Sequence, residues 1–104
     1  MNATHSQSLQ PDTSHVHRCT CYFSGRVQGV GFRYTAQNLA LQYNVSGYVR
    51  NLPDGRVEMV MEGPDPEMNE LVGCLERKMN GYIRKVDRVV DVATGEFPRF
   101  CIKH

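Results

Sequence analysis

The nine residues Gly25–Arg33, GRVQGVGFR, constrain the fold of this chain more than any other stretch. Before the turn they contain, Cys21, Phe23, Gly25 and Val27 alternate with Tyr22, Ser24 and Arg26, the period of a strand with one buried face running from about Cys19 to Val27. Beyond it, Phe32, Ala36, Leu39, Ala40 and Tyr43 recur at i, i+4, i+7, i+8 and i+11, the stripe of an amphipathic helix. A strand must therefore become a helix across Gln28, Gly29, Val30, Gly31 and Phe32, and two glycines there relieve the steric limits on the backbone. Successive N–H groups of such a turn converge on one point, and the helix that follows opens with N–H groups lacking internal acceptors and with the positive end of its dipole. That combination suits an anion such as phosphate. Arg33, in the first helical turn, adds a planar fork made for bidentate contact with phosphate or carboxylate. No GKS or GKT follows and GxGxxG does not occur, so a nucleotide is not indicated.

The rest of the chain supplies the frame. Asn44 and Gly47 mark a short connection into a second strand from Gly47 to Asn51. Leu52-Pro53-Asp54-Gly55 has the chemistry of a tight turn and leads into Val57, Met59 and Met61 alternating with Glu58, Val60 and Glu62, which predicts a hairpin. Gly63-Pro64-Asp65-Pro66 closes that strand and opens a second helix, with Asp65 expected at the N-cap and Pro66 at the first helical position. Met68, Leu71, Val72, Leu75 and Met79 form its apolar stripe and Asn80-Gly81 its end. Val86, Val89, Val90, Val92 and Ala93 predict one longer strand, and Phe97, Phe100 and Ile102 a short terminal one. The order predicts an α+β, ferredoxin-like split βαβ (βαββαβ) sandwich: a mostly antiparallel sheet with two helices on one face. Arg77, Lys78, Arg84, Lys85 and Arg88 are interleaved with Glu76 and Asp87, as on a solvated face.

Residues 1–17 are rich in Ser, Thr, Gln, Asn and His and nearly devoid of apolar side chains, so a disordered N-terminal tail is expected, followed by one domain over residues 18–104. A formal charge of +1 leaves no electrostatic footprint for nucleic acid, and no apolar run approaches a membrane span. The N-terminus lacks the pattern of a signal peptide, which predicts a cytoplasmic protein whose four cysteines, Cys19, Cys21, Cys74 and Cys101, are reduced. His15, His17, Cys19 and Cys21 are all metal-ligand types at alternate positions, but an extended segment spreads them over roughly 20 Å. One tetrahedral zinc cannot collect all four, so no metal is expected, and the reading is two tail histidines and two core-facing cysteines.

Two motifs resemble one known family. Gly25-Arg26-Val27-Gln28-Gly29-Val30-Gly31-Phe32-Arg33 is similar to the first signature of the acylphosphatases, and Gly47-Tyr48-Val49-Arg50-Asn51 followed by Gly55, Val57 and Gly63 is similar to their second. The resemblance runs from about Cys19 to His104, with one departure at Phe23, where the family usually has a smaller aliphatic residue. It implies hydrolysis of the carboxyl–phosphate bond of small acyl phosphates, without metal or cofactor, by a monomer that inorganic phosphate inhibits as product. Carried over by motif, the phosphate-binding set is Gln28, Gly29, Val30, Gly31, Phe32 and Arg33, and the catalytic pair is Arg33 and Asn51, the asparagine orienting the attacking water. Read without the resemblance, Asn51 simply ends a strand by bonding its own backbone. Two other functions fit the fold. A noncatalytic anion-binding module is disfavoured by the presence of both Arg33 and Asn51. An RNA-binding module would use Tyr22 and Tyr48 as exposed aromatics, and the chain lacks the corresponding sequence pattern.

Overall fold

Alternation and helical stripes translate directly into elements. The computed structural model describes residues 16–104 as β1 (Val16–Gly25), α1 (Phe32–Ala40), β2 (Ser46–Asn51), β3 (Val57–Pro64), α2 (Asp65–Lys78), β4 (Ile83–Val92) and β5 (Phe100–Ile102). The sheet order is β4-β1-β3-β2-β5, antiparallel except for the β2–β5 pair. This is the expected α+β, ferredoxin-like arrangement. Cys19, Cys21 and Phe23 of β1, Val49 of β2 and Val57, Met59 and Met61 of β3 share one face, where they form the core with Ala36 and Leu39 of α1 and Leu71 and Leu75 of α2. No helix of the described residues is long and apolar enough to cross a membrane.

Several boundaries differ from the sequence reading, each for a local reason. Val16 and His17, expected in the tail, belong to β1: they pair with Pro64 and Gly63, and His17 Nδ1 lies 2.8 Å from Asp65 Oδ1. The remainder of the expected tail, residues 1–15, lies outside the described residues. With its carboxylate engaged by His17, Asp65 does not cap α2; the extended Pro64 is the N-cap residue and Asp65 begins the helix. Helix α1 stops at Ala40 because the next N–H groups turn back by three residues, Gln42 to Leu39 and Tyr43 to Ala40, which tightens the chain before Asn44. β1 ends at Gly25, where its register with β4 shifts, and β4 accordingly starts earlier than expected, Ile83 pairing with Gly25.

The other face of the sheet is not simply solvated. Glu58 and Glu62, placed outward by the period of β3, are only 8% and 5% exposed. Glu58 accepts from Arg50 Nε at 2.7 Å, Tyr48 OH at 3.1 Å and Tyr22 OH at 3.2 Å. Glu62 accepts from Arg18 Nε at 2.8 Å and from the Thr94 and Gly95 N–H groups at 2.9 and 2.8 Å. Tyr22 and Tyr48 are therefore held by Glu58 rather than standing free on the sheet. Burial followed by the Glu58 carboxylate raises Tyr22, and the same two causes raise Tyr48.

Candidate active site

The loop after β1 is fixed from both sides. Phe23, the departure noted in the sequence, stacks on Phe32 with ring centroids 4.9 Å apart and an interplanar angle of 56°, seating the first residue of α1 on the sheet. On the other side the Gln28 amide Nε2 donates to the Leu52 carbonyl at 2.8 Å and the Arg56 carbonyl at 2.9 Å, while Leu52 N–H donates to Arg56 O at 2.8 Å. Gln28 thus ties the loop to the β2–β3 turn, directly beyond Asn51. Packing and a polar latch together set the distance between the loop and the end of β2.

Gly29 and Gly31 have φ of 77° and 78°, and a Cβ at either would meet nothing within 4 Å. The backbone angle, not lack of space, is what calls for glycine here. Gly31 is the N-cap of α1, with no capping side chain and no acidic residue in the first turn. The first backbone bond into the helix is Thr35 N–H to Gly31 O at 3.0 Å; among the described residues no backbone acceptor takes the N–H groups of Gly29, Val30, Gly31, Phe32 or Arg33. A helix start stripped of both cap and acid leaves its donors and its positive dipole end for something that is not protein.

Gly29, Gly31, Phe32, Arg33 and Asn51 line one pocket of about 160 Å³. Two members of the expected phosphate-binding set are in the loop but not on this wall: Gln28, whose side chain serves as the latch, and Val30, which packs against the core. The pocket is completed by Val27, Tyr34, Ile102 and His104, which the sequence reading did not select. Ile102 pairs with Val49 in the parallel β2–β5 ladder, so the topology carries the last residues of the chain beside Asn51. Only the pairing of β5 with β2, absent from local sequence, reveals them. Among the described residues, neither the Arg33 guanidinium nor the Asn51 amide has a hydrogen-bonding or ionic partner, whereas Arg18, Arg50 and Arg56 are all paired with carboxylates. Arg26 is exposed and Arg50 faces Glu58, which keeps both out of the pocket.

Comparison with known proteins covers all of the described domain except its ends. A family model described as acylphosphatase matches residues 19–102. The chain belongs to the acylphosphatase family. It is similar to an acylphosphatase of Syntrophus aciditrophicus, 43% identical over 86 residues, covering 82% of this chain and 90% of that one. An acylphosphatase of Thermus thermophilus is 60% identical over 79 residues, 76% of this chain and 86% of that one. Among solved structures, the crystal structure of acylphosphatase from Bacillus subtilis superposes with a TM-score of 0.78 at 30% identity, covering 85% of this chain and 99% of that chain. Membership of the acylphosphatase family makes this chain an enzyme, a hydrolase of acyl phosphates. The family match begins at Cys19, within β1, and ends at Ile102, the last residue of β5.

Proposed function

We propose that the chain hydrolyses the carboxyl–phosphate bond of small acyl phosphates by direct attack of water, with Arg33 binding the phosphoryl group, Asn51 orienting the water, and no metal taking part. The observation that carries this reading is the convergence in one pocket of a guanidinium, an amide and helix-start donors that have no partner among the described residues. The N–H groups from Gln28 to Phe32 and the Arg33 fork surround the three equatorial oxygens, where charge gathers as the phosphoryl group transfers. Asn51 accepts from the water and holds it in line. A new P–O bond forms to water as the P–O bond to the acyl group breaks, and the electron pair of that bond leaves on the carboxylate. Because the conjugate acid of that leaving group has a pKa near about 4, departure needs neither a general acid nor a Lewis acid. An amide is no base at neutral pH, so the water proton passes to a phosphate oxygen.

The proposed substrate is small, the product phosphate competes for the same donors, and the working unit is a cytoplasmic monomer. Benzoyl phosphate hydrolysis by the purified chain in excess EDTA tests the reading, with Arg33→Ala and Asn51→Ala alongside. Turnover by the wild type and failure of both folded variants is the expected result. A folded wild type that binds inorganic phosphate without hydrolysing benzoyl phosphate overturns it in favour of an anion-binding module. The role of Asn51 has a sharper test in Asn51→Asp: activity is expected to fall with no new basic limb in the pH profile. An active Asp variant with such a limb would mean that position 51 works by taking a proton.

A further inference from the structure

Cys19 and Cys21 play no part in the chemistry above, yet they form the one close thiol pair among the described residues. Both point from β1 into the core, 6% and 0% exposed, with their Sγ atoms 4.0 Å apart. A separate cavity of about 230 Å³ opens onto Cys19 between β1, α2 and β4, with the Met68 thioether and Arg88 on its wall. Arg88 sits opposite Cys21 in the β1–β4 ladder and on the same side of the sheet. The hydrogen bond shared with Cys21 lowers the Cys19 thiol, against burial and the Asp65 carboxylate and with Arg88 acting in the same direction, and the same bond together with burial pushes Cys21 up.

We propose that Cys19 and Cys21 form a two-coordinate site for a soft monovalent metal ion of the copper(I) or silver(I) class, reached through the cavity beside Met68. Thiolate is the ligand that such ions select. Two metal–thiolate bonds of about 2.3 Å, as for zinc, span about 4.6 Å in line, so the sulfurs, 4.0 Å apart, must part by roughly half an ångström to take the ion between them. Binding displaces both thiol protons, and two thiolates around one monovalent ion leave a net charge of −1. Arg88, which donates to Asn69 at 3.2 Å, is the cation on the cavity wall, where the Asp65 carboxylate is engaged by His17. A divalent ion fits poorly: it wants about four ligands, His17 is engaged by Asp65, and no group of three His, Cys, Asp or Glu side chains converges among the described residues. A disulfide fits poorly too. Closing to about 2.05 Å would have to bridge residues i and i+2 of an extended strand, whose Cα atoms lie near the upper limit of about 6.8 Å for such bridges.

The test uses the full chain carrying Cys74→Ala and Cys101→Ala, titrated anaerobically with copper(I) against a chelator of known affinity. One equivalent is expected to be retained. Adding Cys19→Ala or Cys21→Ala should weaken binding by at least about a hundredfold, and Arg88→Gln by about tenfold. X-ray absorption of the copper-loaded Cys74→Ala, Cys101→Ala chain, which keeps both β1 thiols, should show two sulfur neighbours and no nitrogen. Retention that survives loss of either thiol overturns the proposal, as does a spectrum with nitrogen ligands or a wild type that yields its copper to the chelator as readily as the alanine variants do.

Discussion

Two groups of polar side chains in this small domain are treated in opposite ways. On the open face, Glu62 is enclosed by Arg18, Thr94 and Gly95, and Glu58 by Arg50 and two tyrosines, so nearly every lone pair has a donor. At the end of β1 and β2, Arg33 and Asn51 have no partner among the described residues. Buried polar groups that are fully satisfied hold a fold together, because removing one member leaves the others desolvated and unpaired. Polar groups left open in a pocket add nothing to stability, and folded proteins keep them for something that arrives later. The same residue type, arginine, therefore serves structure at position 18 and chemistry, by the proposal above, at position 33.

The largest effect expected from breaking this contrast is on turnover. Arg33→Ala should lower kcat/KM by about a thousandfold, roughly 4 kcal/mol of transition-state stabilisation, and should abolish inhibition by inorganic phosphate. Thermal stability should hardly move, since no contact is lost. Arg33→Lys should fail nearly as badly, because an ammonium presents a point charge where two parallel donors are needed. If the lysine variant kept half of wild-type activity, the planar fork would be irrelevant and charge alone would explain the site.

Glu62→Gln should reverse the pattern. It leaves Arg18 without its buried partner and turns an amide toward backbone donors, at a cost of about 3 kcal/mol, or more than about 10 °C in Tm, with activity of the folded fraction unchanged. Acid should report the same group. Burial alone would raise the Glu62 carboxyl, but the Thr94 and Gly95 N–H groups, Arg18 and the Thr94 hydroxyl together hold it down from 4.5 to about 2. Between those values the unfolded chain binds the extra proton, so the stabilisation is complete above about pH 4.5 and drains away as pH falls toward about 2. Denaturant midpoints measured across that window should fall in the wild type and stay flatter in Glu62→Gln. Parallel curves would mean that another carboxylate governs the acid limb.

What the sequence disclosed and withheld follows from the range of each signal. The strands, the helices and the glycine turn between β1 and α1 were legible because their determinants are local: alternation in β1 and β3, the stripes of both helices, and glycines where φ is positive. The partners of β3 were not. Alternation sends Glu58 and Glu62 outward, and nothing near them announces that Thr94–Glu96 folds back over one and two tyrosines close on the other. The site was read through Arg33 and Asn51, which share a pocket, while the latch made by the Gln28 side chain and the walls made by Ile102 and His104 depend on contacts between segments distant in sequence. His17 shows the same limit: its ladder partners Gly63 and Val92, and Asp65 beside its ring, all lie more than 40 residues away.

The smallest effect expected is the most useful control on this contrast. Lys85 and Asp87 lie on β4, at the sheet edge, 3.7 Å apart with half or more of each side chain in water. Like Arg18 and Glu62 they are a base beside an acid, but a lysine point charge with one long contact, left in water. Water screens the pair and two long side chains lose rotamer freedom in holding it, so Asp87→Asn should shift Tm by less than about 2 °C and leave activity intact. Differential scanning calorimetry of this variant beside Glu62→Gln compares an exposed pair with an enclosed, multiply bonded one. Equal losses would show that an edge pair braces the sheet as firmly as the enclosed one, and enclosure would no longer distinguish the structural charges of this protein from the open ones.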